Sequence, residues 1–264
     1  MIVPGTLRDS LYLLDGFLNQ TSGLEPKQIM TDTAGYSDLV FGLFGLLGFQ
    51  FSPRIANNHG TKLWRIDLTA DYKMLNKVSQ NKINTTRIEK NWGEILRVAG
   101  SLKSEKVNAT ELTKALQRKG QPTELGKAII EYGKVYKTKH QLRYISDEIY
   151  ARQILEQLNK GEARHTLCRH IFYGKKGKLY QTYIDGMEEQ LTALSTVTNA
   201  IIYWNTLYLE RVIDQMRVEG FDCSEEKINK LSPLLFEHIN FVGKYSFRYD
   251  LSLKNGHLRP LNTQ

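Results

Sequence analysis

The 264 residues contain only two cysteines, Cys168 and Cys223. They are too few and too far apart for a disulfide framework or a paired C-x-x-C site. Long apolar runs are also missing. The most apolar helical stretch, Leu191 to Val212, is interrupted by Asn199, Asn205, Glu210 and Arg211, which argues against a membrane span. The opening Met-Ile-Val-Pro-Gly has neither the basic leader nor the apolar core of a secretion signal, so a cytoplasmic, non-membrane protein is expected. No G-x-x-x-x-G-K-[ST] loop, H-E-x-x-H or G-x-S-x-G occurs, which removes the sequence signals of a phosphate-binding loop, a zincin and a hydrolase elbow. Internal repeats, heptad arrays and low-complexity tracts are absent too. With 41% hydrophobic and 24% charged residues, the chain has the composition of a folded protein of one large or two modest domains.

What is present is an uneven charge. Residues 51–178 carry 26 Lys+Arg against 12 Asp+Glu, a net +14, whereas the rest of the chain has 10 against 16 and the whole stands at +8. A section that basic points to an acidic partner, nucleic acid being the commonest. A solvated helical surface rich in lysine is the plainer reading, and charge alone leaves both open.

Periodicity divides the chain near residue 70. Thr6-Leu7-Arg8-Asp9 has capping-box spacing and leads into a stripe of Leu7, Leu11, Leu14 and Leu18, so Asp9 is read as a cap partner rather than a catalyst. Asp15, in the same helix, is read as structural or solvent-exposed. Gln28 to Thr31 reads as a short strand ending at Asp32, and Ser37 as the cap of a helix over Leu39 to Leu47. Gly42 and Gly45 within that helix lower its stability, so they are expected to let another backbone approach closely. Phe49 to Phe51 and Lys62 to Ile66 read as strands. Beyond residue 70 the pattern is helical, with helices expected over 83–101, 108–119, Thr123 to Tyr136, Ser146 to Tyr173, Leu191 to Val218 and Leu231 to Ile239.

Two groups of residues could carry chemistry. Glu162, His165, Cys168 and His170 fall within nine residues, but a di-iron bundle needs a second Glu-x-x-His pair and a zinc site two more ligands. Ordinary helix packing is the preferred reading of that cluster. The other group pairs Asp32, directly after a strand, with Glu162, an acid on a helix otherwise basic around it. Hard carboxylate oxygens suit Mg²⁺, and two such ions can serve both the attacking and the leaving oxygen in phosphoryl transfer. Lys160, Arg164 and the turn from Lys175 to Lys178 would then hold a phosphodiester backbone. Spacing alone cannot join two acids 130 positions apart.

Several blocks resemble the transposases of the Tn-three family of replicative transposons. They are Ile2 to Ser10 (I-V-P-G-T-L-R-D-S), Thr31 to Tyr36 (T-D-T-A-G-Y), Leu47 to Ile55 (L-G-F-Q-F-S-P-R-I), Leu158 to Arg164 (L-N-K-G-E-A-R), Trp204 to Arg211 (W-N-T-L-Y-L-E-R), and Leu231-Ser232-Pro233 with Glu237-His238-Ile239-Asn240. They occur in the family's order from one end of the chain almost to the other. The resemblance implies an RNase H-like catalytic domain with an Asp-Asp-Glu triad binding Mg²⁺ in a two-metal site. Its second Asp would be Asp32 and its Glu would be Glu162, and Lys160, Arg164, His165, Lys175 and Lys176 would contact DNA. It further implies cleavage of transposon 3′ ends at terminal inverted repeats, strand transfer into target DNA, a homodimer in the complete transposase, and a bacterial cytoplasmic protein that joins the nucleoid when bound to DNA.

The expected architecture is therefore α/β, a partial RNase H-like domain with a large, mainly helical insertion and a helical C-terminal part. Residues 1–69 would be the second half of the RNase H-like sheet carrying Asp32, 70–145 the helical insertion, and 146–264 the helix carrying Glu162 with the C-terminal helical segment. The family's first catalytic Asp lies upstream of the I-V-P-G-T-L-R-D block, so the expectation is a truncated sequence lacking that Asp and its strands. Such a piece is expected to be inactive alone, and its unpaired strand edge to make it poorly soluble or partly unfolded. The alternatives are a non-enzymatic basic DNA-binding remnant, a fragment that interferes with an intact transposase, and a helical metal protein built on His165 and Cys168.

Overall fold

The structure is a computed structural model that describes residues 9–19, 23, 25–33, 36–56, 61–118, 120–177 and 186–244. The capping box at Thr6 to Asp9 falls largely outside these, as do the side chain of Asp9 and the residues beyond 244. The chain forms two compact units, Met1–Leu158 and Asn159–Gln264. The boundaries expected near 70 and 146 both lie inside the first.

In the first unit, α1 (Asp9–Leu18) leads to β1 (Gln28–Thr31), α2 (Asp38–Leu46) and β2 (Gln50–Pro53). β1 and β2 run parallel, with Gln28 opposite Gln50 and Thr31 opposite Pro53, and α2 is their crossover, as parallel neighbours require. Leu39 through Gly45 are all buried, so α2 is apolar around its whole circumference and lies in the middle of the unit. Phe44 stacks on Phe51 at 4.6 Å and Phe41 meets Phe51 edge-on at 5.0 Å. Ser37 caps the helix through Val40 N–H at 3.4 Å.

The following elements are β3 (Trp64–Arg65), a 3₁₀ turn over Lys73–Lys77, β4 (Asn81–Lys82), α3 (Thr85–Lys90), α4 (Trp92–Lys103), α5 (Ala109–Ala115), β5 (Gln117–Arg118), β6 (Gln121–Pro122) and α6 (Glu124–Ser146). The helix expected over 83–101 is two helices. Asn91 Nδ2 donates to Arg87 O at 2.9 Å, and its backbone at φ −106°, ψ 9° lies outside the helical region. The helix expected over 108–119 stops at Ala115, and the chain turns in a β5–β6 hairpin through Gly120 at φ +78°. The helix from Thr123 runs ten residues past Tyr136, to Ser146.

α6 crosses α2 at glycines, as the Gly42 and Gly45 spacing anticipated. A Cβ on Gly42 would sit 2.5 Å from Ile129 O, one on Gly45 2.9 Å from the Tyr136 ring, and one on Gly133 would collide with Asp38 O. Asp15, almost fully buried, accepts from Ala109 N–H, from Thr110 N–H at 3.2 Å and from Thr110 Oγ1 at 2.9 Å. It is thus a cap for α5 supplied by α1, and the structural reading of this residue holds. Asp15→Ala strands those donors in the interior and should lower unfolding free energy by about 2–3 kcal/mol in urea titration.

α7 (Glu148–Ile171) begins in the first unit and ends in the second. Asp147 separates it from α6 by accepting from Tyr150 N–H at 2.9 Å. In the second unit, a 3₁₀ turn at Gly174–Gly177 precedes α8 (Met187–Val218) and α9 (Glu225–Ile228). No helix among the described residues is long and apolar enough to cross a membrane.

The helix expected over Leu231 to Ile239 does not form; the segment is a series of turns. Its carbonyls are used elsewhere. Buried Asn205 donates to Pro233 O at 2.7 Å and Leu235 O at 2.8 Å, and its Oδ1 accepts from His238 Nε2 at 2.9 Å, while Trp204 stacks on His238 at 5.7 Å. Three of the blocks singled out in the sequence thus meet at one amide. Asn205→Ala removes all three bonds and should lower stability by roughly 2 kcal/mol, read as an earlier urea midpoint.

Candidate active-site residues

Asp32 is the first residue past β1 and is exposed. Its Oδ1 accepts from Thr33 N–H at 2.7 Å and from Thr33 Oγ1 at 3.3 Å, so the carboxylate is tied to its own loop. Alongside it β2 ends, with Arg54 N–H donating to Thr31 O at 2.8 Å. Ligands of open α/β sheets gather outside the carboxyl ends of the strands, and Asp32 occupies that position.

Tyr36, just ahead of α2, is held from α6. Tyr36 N–H donates to Thr33 O at 3.2 Å, and Tyr36 Oη accepts from Gln141 Nε2 at 2.5 Å. Lys137 Nζ sits 4.4 Å above the Tyr36 ring and 2.9 Å from Asp38 Oδ1. Burial pushes the Tyr36 phenol up to about 12, so it stays a neutral hydrogen-bonding anchor.

A second network holds the end of β2. His140 Nε2 faces Pro53 O at 2.9 Å, a group that can only accept, so Nε2 carries the proton and Nδ1 accepts from Tyr150 Oη at 3.0 Å. Tyr150 Oη in turn accepts from Ser52 Oγ at 2.7 Å and Gln50 Nε2 at 3.2 Å, and Ser52 Oγ accepts from Gln28 Nε2 at 3.1 Å. Both hydroxyls and the ring N–H of this network have an acceptor. Burial, reinforced by the Arg143 charge, lowers the His140 pKa from 6.5 to about 4 against the opposing bond to Pro53 O. The unfolded chain therefore binds a proton that the folded one refuses. This contribution is complete above about pH 6.5 and is lost as pH falls toward 4, an effect of up to roughly 3 kcal/mol. Urea unfolding at pH 7.5 and 5.0 should show the decline, and His140→Gln should flatten it.

These anchors were not singled out in the sequence. Tyr36, Gln50, Ser52 and Pro53 lie inside the T-D-T-A-G-Y and L-G-F-Q-F-S-P-R-I blocks, which was their available signal. His140, Gln141 and Tyr150 had none, because only the approach of α6 and α7 gives them partners.

Glu162 lies in the second unit, on the last turns of α7, with three-quarters of its side chain exposed and His165 Nδ1 at 4.0 Å. Lys160 and His165 are exposed as well. Arg164 is half-buried and donates to Asn199 Oδ1 on α8 at 3.2 Å. Cys168 bonds Thr198 Oγ1 at 3.3 Å, and the His170 ring lies 4.1 Å from Phe236. The first contact joins α7 to α8, and the second joins α7 to the turns after α9. Lys175 and Lys176 fall in the Gly174–Gly177 turn, and their side chains lie outside the described residues. Among the described residues no three of His, Cys, Asp and Glu are grouped to hold a metal ion.

The family described as the Tn3 transposase DDE domain is matched by residues 1–245. This chain belongs to that family. It is similar to the transposase for transposon gamma-delta of Escherichia coli (strain K12), at 47% identity over 99% of this chain and 26% of the relative. It is likewise similar to the transposase for transposon Tn4556 of Streptomyces fradiae, at 46% identity over 98% of the chain and 29% of the relative. For the transposase for transposon Tn1546 of Enterococcus faecium the identity is 38% over 98% of the chain and 26% of the relative. The chain therefore spans between a quarter and a third of the length of these curated relatives. No solved structure matches it. The Tn3 family is the one that the ordered sequence blocks resemble, and the match embraces both Asp32 and Glu162.

Proposed function

We propose that this chain forms part of the catalytic domain of a DNA transposase with an RNase H-like fold, and that Asp32 and Glu162 are two of its acidic ligands for a divalent metal, Mg²⁺. The observation that carries the reading is Asp32 at the carboxyl end of a parallel strand, in a chain matching the DDE family over residues 1–245. Both carboxylates are exposed, and neither takes part in a described Lys or Arg ion pair. Their oxygens are the hard donors Mg²⁺ prefers. When bound, the metal would polarise the scissile phosphate and help form the attacking oxygen. The chain's own part is to hold the acids: Asp32 is tied to Thr33 at the end of β1, Gln141 and Lys137 anchor Tyr36, and α7 presents Glu162.

The reaction in this reading is cleavage of transposon 3′ ends at terminal inverted repeats followed by strand transfer, by a homodimer acting at the bacterial nucleoid. Lys160, His165, Lys175, Lys176 and Arg164 are the proposed DNA contacts, Arg164 also donating to Asn199. The net +14 of residues 51–178 supports a DNA partner.

The test is a chimera in which this chain replaces the matching 26% of the gamma-delta relative. Incubated with labelled inverted-repeat DNA, it should nick the 3′ ends with Mg²⁺ and stop nicking with EDTA. Salt-sensitive DNA binding without nicking under any divalent cation would leave a non-enzymatic DNA-binding protein instead.

A further inference from the structure

Beside β2, the first unit carries an open cleft of about 300 Å³ that the Asp32 site does not use. Gly45 and Gly48 line it. The Tyr136 ring lies 2.9 Å from where a Cβ of Gly45 would stand, and Gly48, at φ +81°, has nothing within 4 Å of its own Cβ position. Phe49 and Tyr136 supply aromatic walls, Gln50 and Tyr150 polar atoms, and Lys139 and Arg143 two exposed cations.

The polar inventory limits what fits. Tyr150 Oη is saturated by Ser52, Gln50 and His140, and Gln50 spends its Nε2 on Tyr150 and Ser52. The free acceptor of Gln50 and the cations remain for a ligand. No Asp or Glu lines the cleft. Arg143 is partly engaged, stacked 4.1 Å from the Tyr150 ring and 3.7 Å from Asp147, whereas Lys139 has no ion pair among the described residues. Aromatic walls beside the Lys139 charge suit a flat aromatic group bearing an anion. A cleft of this volume is at the small end of ligand sites.

From this chemistry we propose that the cleft holds one unstacked nucleotide of a bound DNA strand. The base lies against Phe49 and Tyr136, a ring or exocyclic N–H of the base donates to Gln50 Oε1, and the phosphate meets Lys139 and Arg143. The assignment rests on the DNA-transposase reading and adds to it a place where the strand leaves its stack. Base–aromatic stacking tolerates every base, so the site contributes affinity with little sequence preference.

The experiment is fluorescence anisotropy of the full chain with a short single-stranded oligonucleotide and with a strand of equal length made wholly of abasic residues. Equal backbone charge isolates the base. The normal strand should bind about tenfold tighter. Phe49→Leu should remove most of that difference without weakening the abasic strand, and Lys139→Gln should weaken both by a few-fold. Lys139 is exposed, so the second variant reports even where Phe49→Leu disturbs packing against Phe17. Equal affinity for the two strands, or no effect of either variant, overturns the proposal and leaves only a basic surface. Free deoxynucleotide monophosphate displacing the strand at concentrations below the strand's own Kd overturns it in favour of a free-nucleotide site. Binding is read here and nicking is not, so a chimera that fails to nick leaves this result standing, and base-independent binding leaves the nicking result standing.

Discussion

Gly133→Ala should cost the first unit at least about 3 kcal/mol, more than a single methyl usually does. At Gly133 the helices α6 and α2 touch backbone to backbone. An added Cβ collides with Asp38 O and stands 2.7 Å from Gly42 N, and neither atom can rotate away as a side-chain tip could. Relief requires α6 to move off α2, which opens the packing around Phe41, Leu43 and Phe44, all almost fully buried. Gly161→Ala is the matched control. It is also a helical glycine, but nothing lies within 4 Å of its Cβ position, so alanine there should stabilise by roughly 0.5–1 kcal/mol through helix propensity. Opposite signs are expected in urea denaturation of the two variants. Equal shifts would mean that the α2–α6 crossing is not as close as described.

The second large effect concerns chemistry with the fold kept. In the gamma-delta chimera, Asp32→Asn and Glu162→Gln should each lower 3′-end nicking by on the order of a thousandfold or more, about 4 kcal/mol of lost transition-state stabilisation. Both changes preserve shape and remove one negative charge from a proposed metal ligand. Both side chains are exposed, so the melting midpoint should move little. DNA affinity in the absence of metal should hold or rise, because a negative charge near the phosphates is gone. A variant that still nicks within tenfold of the parent would remove that residue from the catalytic set. A variant that loses DNA binding along with nicking would show a structural role instead.

Particular elements show where sequence reading works. The strand at Gln28 to Thr31, the Ser37 cap and the close approach at Gly42 and Gly45 follow from local rules, since capping, β-propensity and the lack of a Cβ act within a few residues. The break at Asn91 was hidden, because it depends on one amide turning back onto Arg87 O. The missing helix at Leu231 was hidden for a longer-range reason: Asn205, on another helix, takes the carbonyls of Pro233 and Leu235. Tertiary hydrogen bonds of this kind outweigh local periodicity and leave no periodic trace of their own.

The sequence by itself determined the family and the placing of Asp32 after a strand and Glu162 on a helix, because ordered blocks and local periodicity survive in one dimension. The tertiary structure alone decided what holds Tyr36 and the end of β2. Tyr36, Gln141, His140 and Tyr150 become partners only when α6 and α7 close over the β1–α2–β2 unit. A buried polar group must find its hydrogen bond wherever folding brings one within reach, whatever the distance along the chain.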